Sequence, residues 1–555
     1  MIRRFGVFLA LAIALALVSG AAAFAQEHEH AIAAKNKSAT LMTGLGDWRH
    51  PVSTQNAQAQ AFFDQGLRLI YAFNHDEAQR SFQRAAELDP KLAMAYWGIA
   101  EAVGPNYNDP ASEDRFVQAH QAIEKATSLA EGASPSDRAY IAAMSTRFPA
   151  DPKSDLRLAA EEYRDAMHQV TLLFPDDLDA ATLFAEAGMN LHPWGLWRAD
   201  GSPEEGTKEI VATLESVMRR EPNHLGAIHY YIHAVEASPS PERALAGANR
   251  LAQLAPGAGH IVHMPAHIYI RTGDYEAAMK TNQKAAQADQ AYLAASNAQG
   301  IYPMMYYSHN LHFIAMCAAM NGNYAESKRG ARMLAANAGP HVKEMPPLEG
   351  FMTVPLAVEV RFHKWNEILK TPRPDASMQT ATVFWHFARG IALAATGKLE
   401  EAEEEHKLVV EAEEKTSPDT IFTAPINNKT KDILKIAENV LSAKISRAKN
   451  DDEAAIHQLR EAVAIQDGLK YDEPQDWFYP VRESLGAALL ISGDQAAAEQ
   501  VFRDDLERNP RNPRSLFGLE QALKAQNKTY DATFIRKQFD ASWKGATPPK
   551  LDDLV

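Results

Sequence analysis

The sequence predicts an all-α protein built as a solenoid of paired helices, and three observations carry that prediction. Apolar residues recur with helical periodicity over nearly the whole chain, and no stretch alternates as a strand does. A spaced set of small and aromatic residues recurs several times with a terminal proline. Finally, 555 residues share a single cysteine, Cys317, so no internal disulfide supports the chain. A repeat array meets these conditions with one continuous stack instead of several separate cores.

Taken in order, the first element reads as a secretory signal. Arg3 and Arg4 precede an apolar run from Val7 to Val18, followed by Ala23-Phe24-Ala25, so residues 1–25 are expected to be removed. The expected product is exported, periplasmic or secreted, and carries no membrane span after signal cleavage. Its new terminus, Gln26-Glu27-His28, has the amine and third-position histidine that suit Cu(II) or Ni(II). Residues 26–58 read as a flexible, polar N-terminal segment. The formal net charge is −15, which disfavours nucleic acid and anionic membranes as partners.

The helical pairs begin near residue 59. Phe62, Gly66, Ala78, Phe82, Ala85 and Pro90 form one complete unit. Gly66 and Ala78 let two helices approach, Phe62 and Phe82 fill the space between them, and Pro90 stops the second helix. Similar sets recur around Ala244 and Pro256, around Gly273 and Ala278, and at Gly390, Gly397 and Ala402. The last comprises Gly486, Gly493, Ala498, Phe502 and Pro510. Residues 59–330 and 331–545 are read as N-terminal/central and C-terminal halves of one array, with 546–555 as a tail. Gly- and Pro-containing stretches at 192–206, 296–308, 338–350, 371–378 and 413–430 interrupt it and are expected to project as loops over one face.

This pattern resembles the tetratricopeptide-repeat family from about residue 59 to about 540, and the resemblance implies a right-handed α-solenoid with a concave ligand groove. It also implies a register. Aligning the repeats through Ala244, Ala278 and Gly322 puts His229 and His263 at position 5 and His233 and His267 at position 9. His260 and His309 fall at position 2, His312 at position 5 and Glu236 at position 12. In the family these positions line the groove. An earlier repeat places Trp97 at position 5 and Glu101 at position 9, which makes them groove candidates as well.

The histidines therefore carry the functional expectation. The couples His229/His233 and His263/His267 have i,i+4 spacing, so each couple shares a helix face, and they lie 34 residues apart. Eight of the chain's 20 histidines fall within residues 224–312. Three readings remain open: hydrogen-bonded groove residues, ligands of one transition-metal ion (Zn, Cu, Ni or Fe), or the polar lining for a peptide, protein or small organic ligand. A metal-dependent enzyme, a hydrolase or an oxidoreductase, is the alternative from another class. The zinc-protease glutamate is missing from both His-x-x-x-His motifs, which favours binding over catalysis. Pro265 stands between the second couple and is able to bend its helix.

Further aromatic and polar candidates are Glu186, Asn190, Trp194, Trp197, Tyr302, Tyr306 and Tyr307. Asp476-Trp477-Phe478-Tyr479 reads as packing between the terminal repeats, and Cys317 as a small buried residue in an apolar helix.

Overall fold

The computed structural model describes residues 39–296, 298–423 and 428–554. The signal-sequence reading and the Gln26-Glu27-His28 reading lie outside these residues. Helices follow one another in antiparallel pairs from Ala57–Ile70 to Thr529–Ser542, and no strand occurs among the described residues, only isolated bridges. The chain is an α-solenoid. Among the described residues no helix is long and apolar enough to cross a membrane.

The repeat grammar acts through aromatic plugs. Phe82, on His75–Leu88, sits against Gly66 of Ala57–Ile70 and Gly98 of Ala93–Val103, where an added Cβ would collide with its ring. Phe502 does the same between Gly486 and Gly518. Each plug is fully buried, so one ring joins three successive helices and continues the stack.

The core runs in three connected stretches, roughly residues 39–306, 266–358 and 356–554. The superhelix is wound tightly enough for distant repeats to meet. The segment before the first helix contacts the central repeats where the Gly257 amide donates to the Gly44 carbonyl at 2.7 Å. At the other end, the buried Arg361 guanidinium grips Glu483 through two bonds of 3.0 Å, and Arg514 donates to the Arg361 carbonyl at 2.6 Å. The Lys544 amide reaches the Asn321 carbonyl at 2.7 Å.

Part of the segment read as a flexible leader is anchored through Trp48 and His50. Trp48 Nε1 donates to Asp179 at 3.0 Å, and the buried His50 Nδ1 lies 2.8 Å from the other carboxylate oxygen. Tyr71 Oη donates to the same carboxylate at 2.5 Å. Composition gave no sign of this anchoring, because each contact spans more than a hundred residues of sequence.

A histidine cluster inside the superhelix

Four helical segments from three successive repeats build the centre of the molecule. Leu225–Val235 carries His229 and His233, Gly259–His263 carries His260 and His263, Pro265–Arg271 carries His267, and Tyr307–Met320 carries His309 and His312. Pro265 starts a new helical segment, as suits a residue without an N–H at a first helical position. Met264 between the segments keeps right-handed helical dihedrals, so the path continues and both histidines of the couple stay on one face.

The imidazoles form two triads. His229, His233 and His260 bring one ring nitrogen each to within 4.8 Å of one another, and so do His263, His267 and His309. The closest nitrogens are His229 Nε2 and His260 Nε2 at 3.1 Å, and His263 Nε2 and His267 Nε2 at 2.7 Å. The ring nitrogens gather in two groups, one around each couple. His312 joins neither triad; it packs against Phe351 and Phe478.

The opposite nitrogen of most of these rings is held. His229 Nδ1 donates to the Tyr71 carbonyl at 2.6 Å, and His263 Nδ1 donates to Asn282 Oδ1 at 2.7 Å. The Asn282 amide is oriented by its own bond from Nδ2 to the Ala278 carbonyl at 2.8 Å. Glu236 serves both triads: Oε1 lies 2.8 Å from His233 Nδ1, and Oε2 lies 2.5 Å from His267 Nδ1. A ring whose Nδ1–H is given to an acceptor presents Nε2 as a bare donor. His233 Nε2 is buried and has no hydrogen-bond partner.

Electrostatics follow from burial. Desolvation pushes His229, His260, His263 and His309 well below the ordinary histidine value, with help from neighbouring imidazoles. Burial also lowers His233, and pulls His312 down to about 3. His267 is the exception: burial opposes its charge, but Glu236 and Glu473 outweigh that and raise it to about 10. Neutral imidazoles are the form that ligates metals.

The groove expected from the repeat register is not an open surface. All of these histidines are buried except His309, which is partly so. The tight superhelix covers them. Phe73, in a left-handed conformation at φ 53° between the first two helices, stacks on His233 and His260 with ring centroids 5.6 and 5.3 Å away. Such a backbone is unfavourable for a bulky residue and marks a position that the surrounding packing holds in place. Tyr107 and Trp194 approach His233 at 5.3 and 5.7 Å, and Tyr306 approaches His260 at 5.0 Å. From the C-terminal half, Glu473 Oε2 comes to 3.2 Å from His267 Nδ1.

What remains is a cavity of about 680 Å³. His233, His260, His267, His309 and His312 line one side, with Tyr107, Trp194, Tyr306 and Phe351 as aromatic walls. Asp472, Glu473 and Asp476 close another side, and Arg147 contributes a cation. Burial raises the carboxyls of Glu473 and Asp472, and of Asp476 as well.

Two of the register-based candidates lie away from the histidines. Trp97 is fully buried and packs against Tyr140 and Phe63, as a core residue does. Glu101 is buried in an ion pair with Arg147 at 2.8 Å and orients that cation instead of reaching the imidazoles. Glu186 lies near that pair and is raised by burial and by the charge of Glu101. Asp476-Trp477-Phe478-Tyr479 divides: Trp477 packs on Phe387 and Phe384, while Asp476 and Glu473 face the cavity. The turn Gly104-Pro105-Asn106-Tyr107-Asn108, a groove candidate from its turn chemistry and polar side chains, does line the cavity, whereas Glu473, Phe73 and Asn282 have no signature in the sequence, because each is brought in by the winding of the superhelix or by the second helix of a pair.

Residues 261–292 match the tetratricopeptide repeat, a stretch that includes His263, His267 and Asn282. An uncharacterized protein of Aquifex aeolicus (strain VF5) is 36% identical over 75 residues, 13% of this chain and 10% of that protein, so the match spans about a tenth of that relative's length. Among solved structures, human IFIT1 as a dimer with PPP-AAAA aligns over 88% of this chain and 91% of its own at 12% identity and TM-score 0.33. The P58(IPK) TPR domain covers 85% and 99% at 14% and 0.23. A tetratricopeptide repeat protein from Parabacteroides merdae ATCC 43184 covers 60% and 93% at 14% and 0.29.

Proposed function

We propose that this tetratricopeptide-repeat protein is an exported metal-binding protein that holds a transition metal on imidazole nitrogens inside its superhelix, beside a cavity for a small ligand. One observation carries the reading. His229, His233 and His263 each commit Nδ1 to an acceptor, Glu236 Oε2 stands 2.5 Å from His267 Nδ1, and the Nε2 atoms of His229 and His263 meet those of His260 and His267. Acceptors behind metal-ligating histidines fix tautomer and ring orientation, and they add basicity to the ligating nitrogen.

The donor set selects the ion class. Imidazole suits zinc, copper, nickel and iron, and no thiolate competes, since Cys317 is buried with its thiol raised well above the usual range by burial. The buried position of the imidazoles and a cavity of about 680 Å³ favour a small organic ligand over a folded protein or peptide partner, and the acidic chain disfavours nucleic acid. Export rests on the reading of residues 1–25 alone.

The test is elemental analysis of protein purified from its native compartment, beside the His229→Ala/His263→Ala double variant. Stoichiometric Zn, Cu, Ni or Fe in the parent, lost from the variant, is the expected result. Negligible metal in both discards the reading.

A second reading, a metal-dependent hydrolase, is favoured by Glu473. Its buried carboxyl faces the cavity, lies 3.2 Å from His267 Nδ1, and has no aligned hydrogen bond of its own. A carboxylate beside a metal-binding triad is placed to take a proton from water. Hydrolysis of p-nitrophenyl acetate by the metal-loaded protein, lost in Glu473→Gln while the metal is retained, separates an enzyme from a binding protein.

A further inference from the structure

The repeat register and the side-chain geometry together specify how many ions the superhelix holds. The first triad consists of positions 5 and 9 of one repeat with position 2 of the next: His229, His233 and His260. The second uses the same positions one repeat later: His263, His267 and His309. Two equivalent donor sets arise because the same three groove positions are occupied twice in succession. A cluster assembled by chance packing would not reproduce its own register.

The alternative, one ion between the couples, is opposed by Glu236. Its carboxylate stands between His233 and His267 and takes the Nδ1 side of both rings, at 2.8 and 2.5 Å. Nδ1 and Nε2 point away from each other across an imidazole, so both Nε2 atoms are directed away from the shared carboxylate. His233 brings one ring nitrogen to within 4.8 Å of one on His229 and one on His260, and His267 Nε2 lies 2.7 Å from His263 Nε2. The two triads are nonetheless neighbours: the rings of His233 and His267 have centroids 5.6 Å apart, as do those of His260 and His263.

Resting on the metal-binding reading above, we propose that the protein holds two transition-metal ions, one on His229, His233 and His260 and one on His263, His267 and His309, with Glu236 orienting a ligand of each. Three imidazoles leave a coordination position open. His233 and His260 of one triad and His267 and His309 of the other line the same cavity, so one small ligand has access to both ions. The carboxylate set Glu236, Glu473 and His267 competes for the second ion, but it would use His267 through Nδ1 and give up the pairing with Glu236.

Native mass spectrometry of the full mature chain loaded with zinc, and electron paramagnetic resonance of the copper(II) form, test the assignment. Wild type is expected to retain two ions that His260→Ala and His309→Ala each reduce by one, with the spectrum changing from a spin-coupled pair to an isolated copper(II) signal. His309 is partly exposed, so its removal spares the core, and circular dichroism checks that both variants are folded. Zero ions in wild type overturns the metal reading as a whole. One ion in wild type, or a isolated copper(II) signal at full loading, overturns only the two-ion assignment. It is also overturned if His309→Ala still holds the second ion and Glu473→Gln releases it, because the carboxylate set is then the site.

Discussion

Glu236→Gln tests the architecture of the cluster with the smallest change of shape. The carboxylate accepts from His233 Nδ1 at 2.8 Å and stands 2.5 Å from His267 Nδ1 as its ion-pair partner. An amide has one accepting oxygen, so one of the two rings must face an NH₂ group and turn or change tautomer. A hydrogen bond to a charged group contributes about 1.5–3 kcal/mol. At about 1.4 kcal/mol per factor of ten, the affinity for metal at the mis-oriented triad falls by about 10–100-fold. The fold is expected to survive, because His267, which owes its raised pKa to Glu236 and Glu473 against burial, is able to give up its proton. Competition for zinc against a chromophoric chelator measures the change, with a thermal melt as the control for folding. Metal affinity within threefold of wild type, on a folded variant, would refute the orienting role of Glu236.

Three further predictions concern the elements that hold the cluster in place. Burial opposes a charge on His50, but its hydrogen bond and ion pair with Asp179 win and raise it to about 9. The stabilisation is therefore complete below about pH 6.5 and is lost as pH rises through about 9, with a ceiling of about 3 kcal/mol. The gap in melting temperature between wild type and His50→Gln should shrink from about pH 6.5 and be closed by about pH 9; a constant gap would sink the assignment. Gly259 leaves no room for a side chain against the Asp289 carboxylate, which itself binds Tyr302 at 2.9 Å and Asn310 at 2.6 Å. Gly259→Ala should cost about 1–3 kcal/mol by overpacking and weaken metal binding through the adjacent His260, and an unchanged urea midpoint would contradict this. Glu483→Ala strands the buried Arg361 guanidinium and should cost about 3–5 kcal/mol, read from urea unfolding; a loss below 1 kcal/mol would show that the pair does not hold the superhelix closed.

Local physics made much of this molecule legible. The helical period, the Gly–Phe–Gly plugs at Phe82 and Phe502, and the spacing of His229/His233 and His263/His267 are properties of one or two adjacent helices. Side chains three and four apart on a helix meet whatever the rest of the chain does. The register transferred from the repeat family placed His260 and His309 beside those couples for the same reason: consecutive repeats pack as neighbours. It failed for Trp97, at the same nominal position, because a large apolar ring gains more by burial between Tyr140 and Phe63 than by lining a groove.

The sequence by itself determined that the chain is helical, that it repeats, and that seven histidines recur at three equivalent positions in successive repeats. Tertiary structure decided that they are buried, that they form two triads, and that Glu473, Phe73 and Tyr107 complete their surroundings. Those outcomes depend on how far the stack rotates at each repeat, a quantity summed over many interfaces. A small change in pitch would have left the same residues along an open groove, with Glu473 far from His267 and the imidazoles in water.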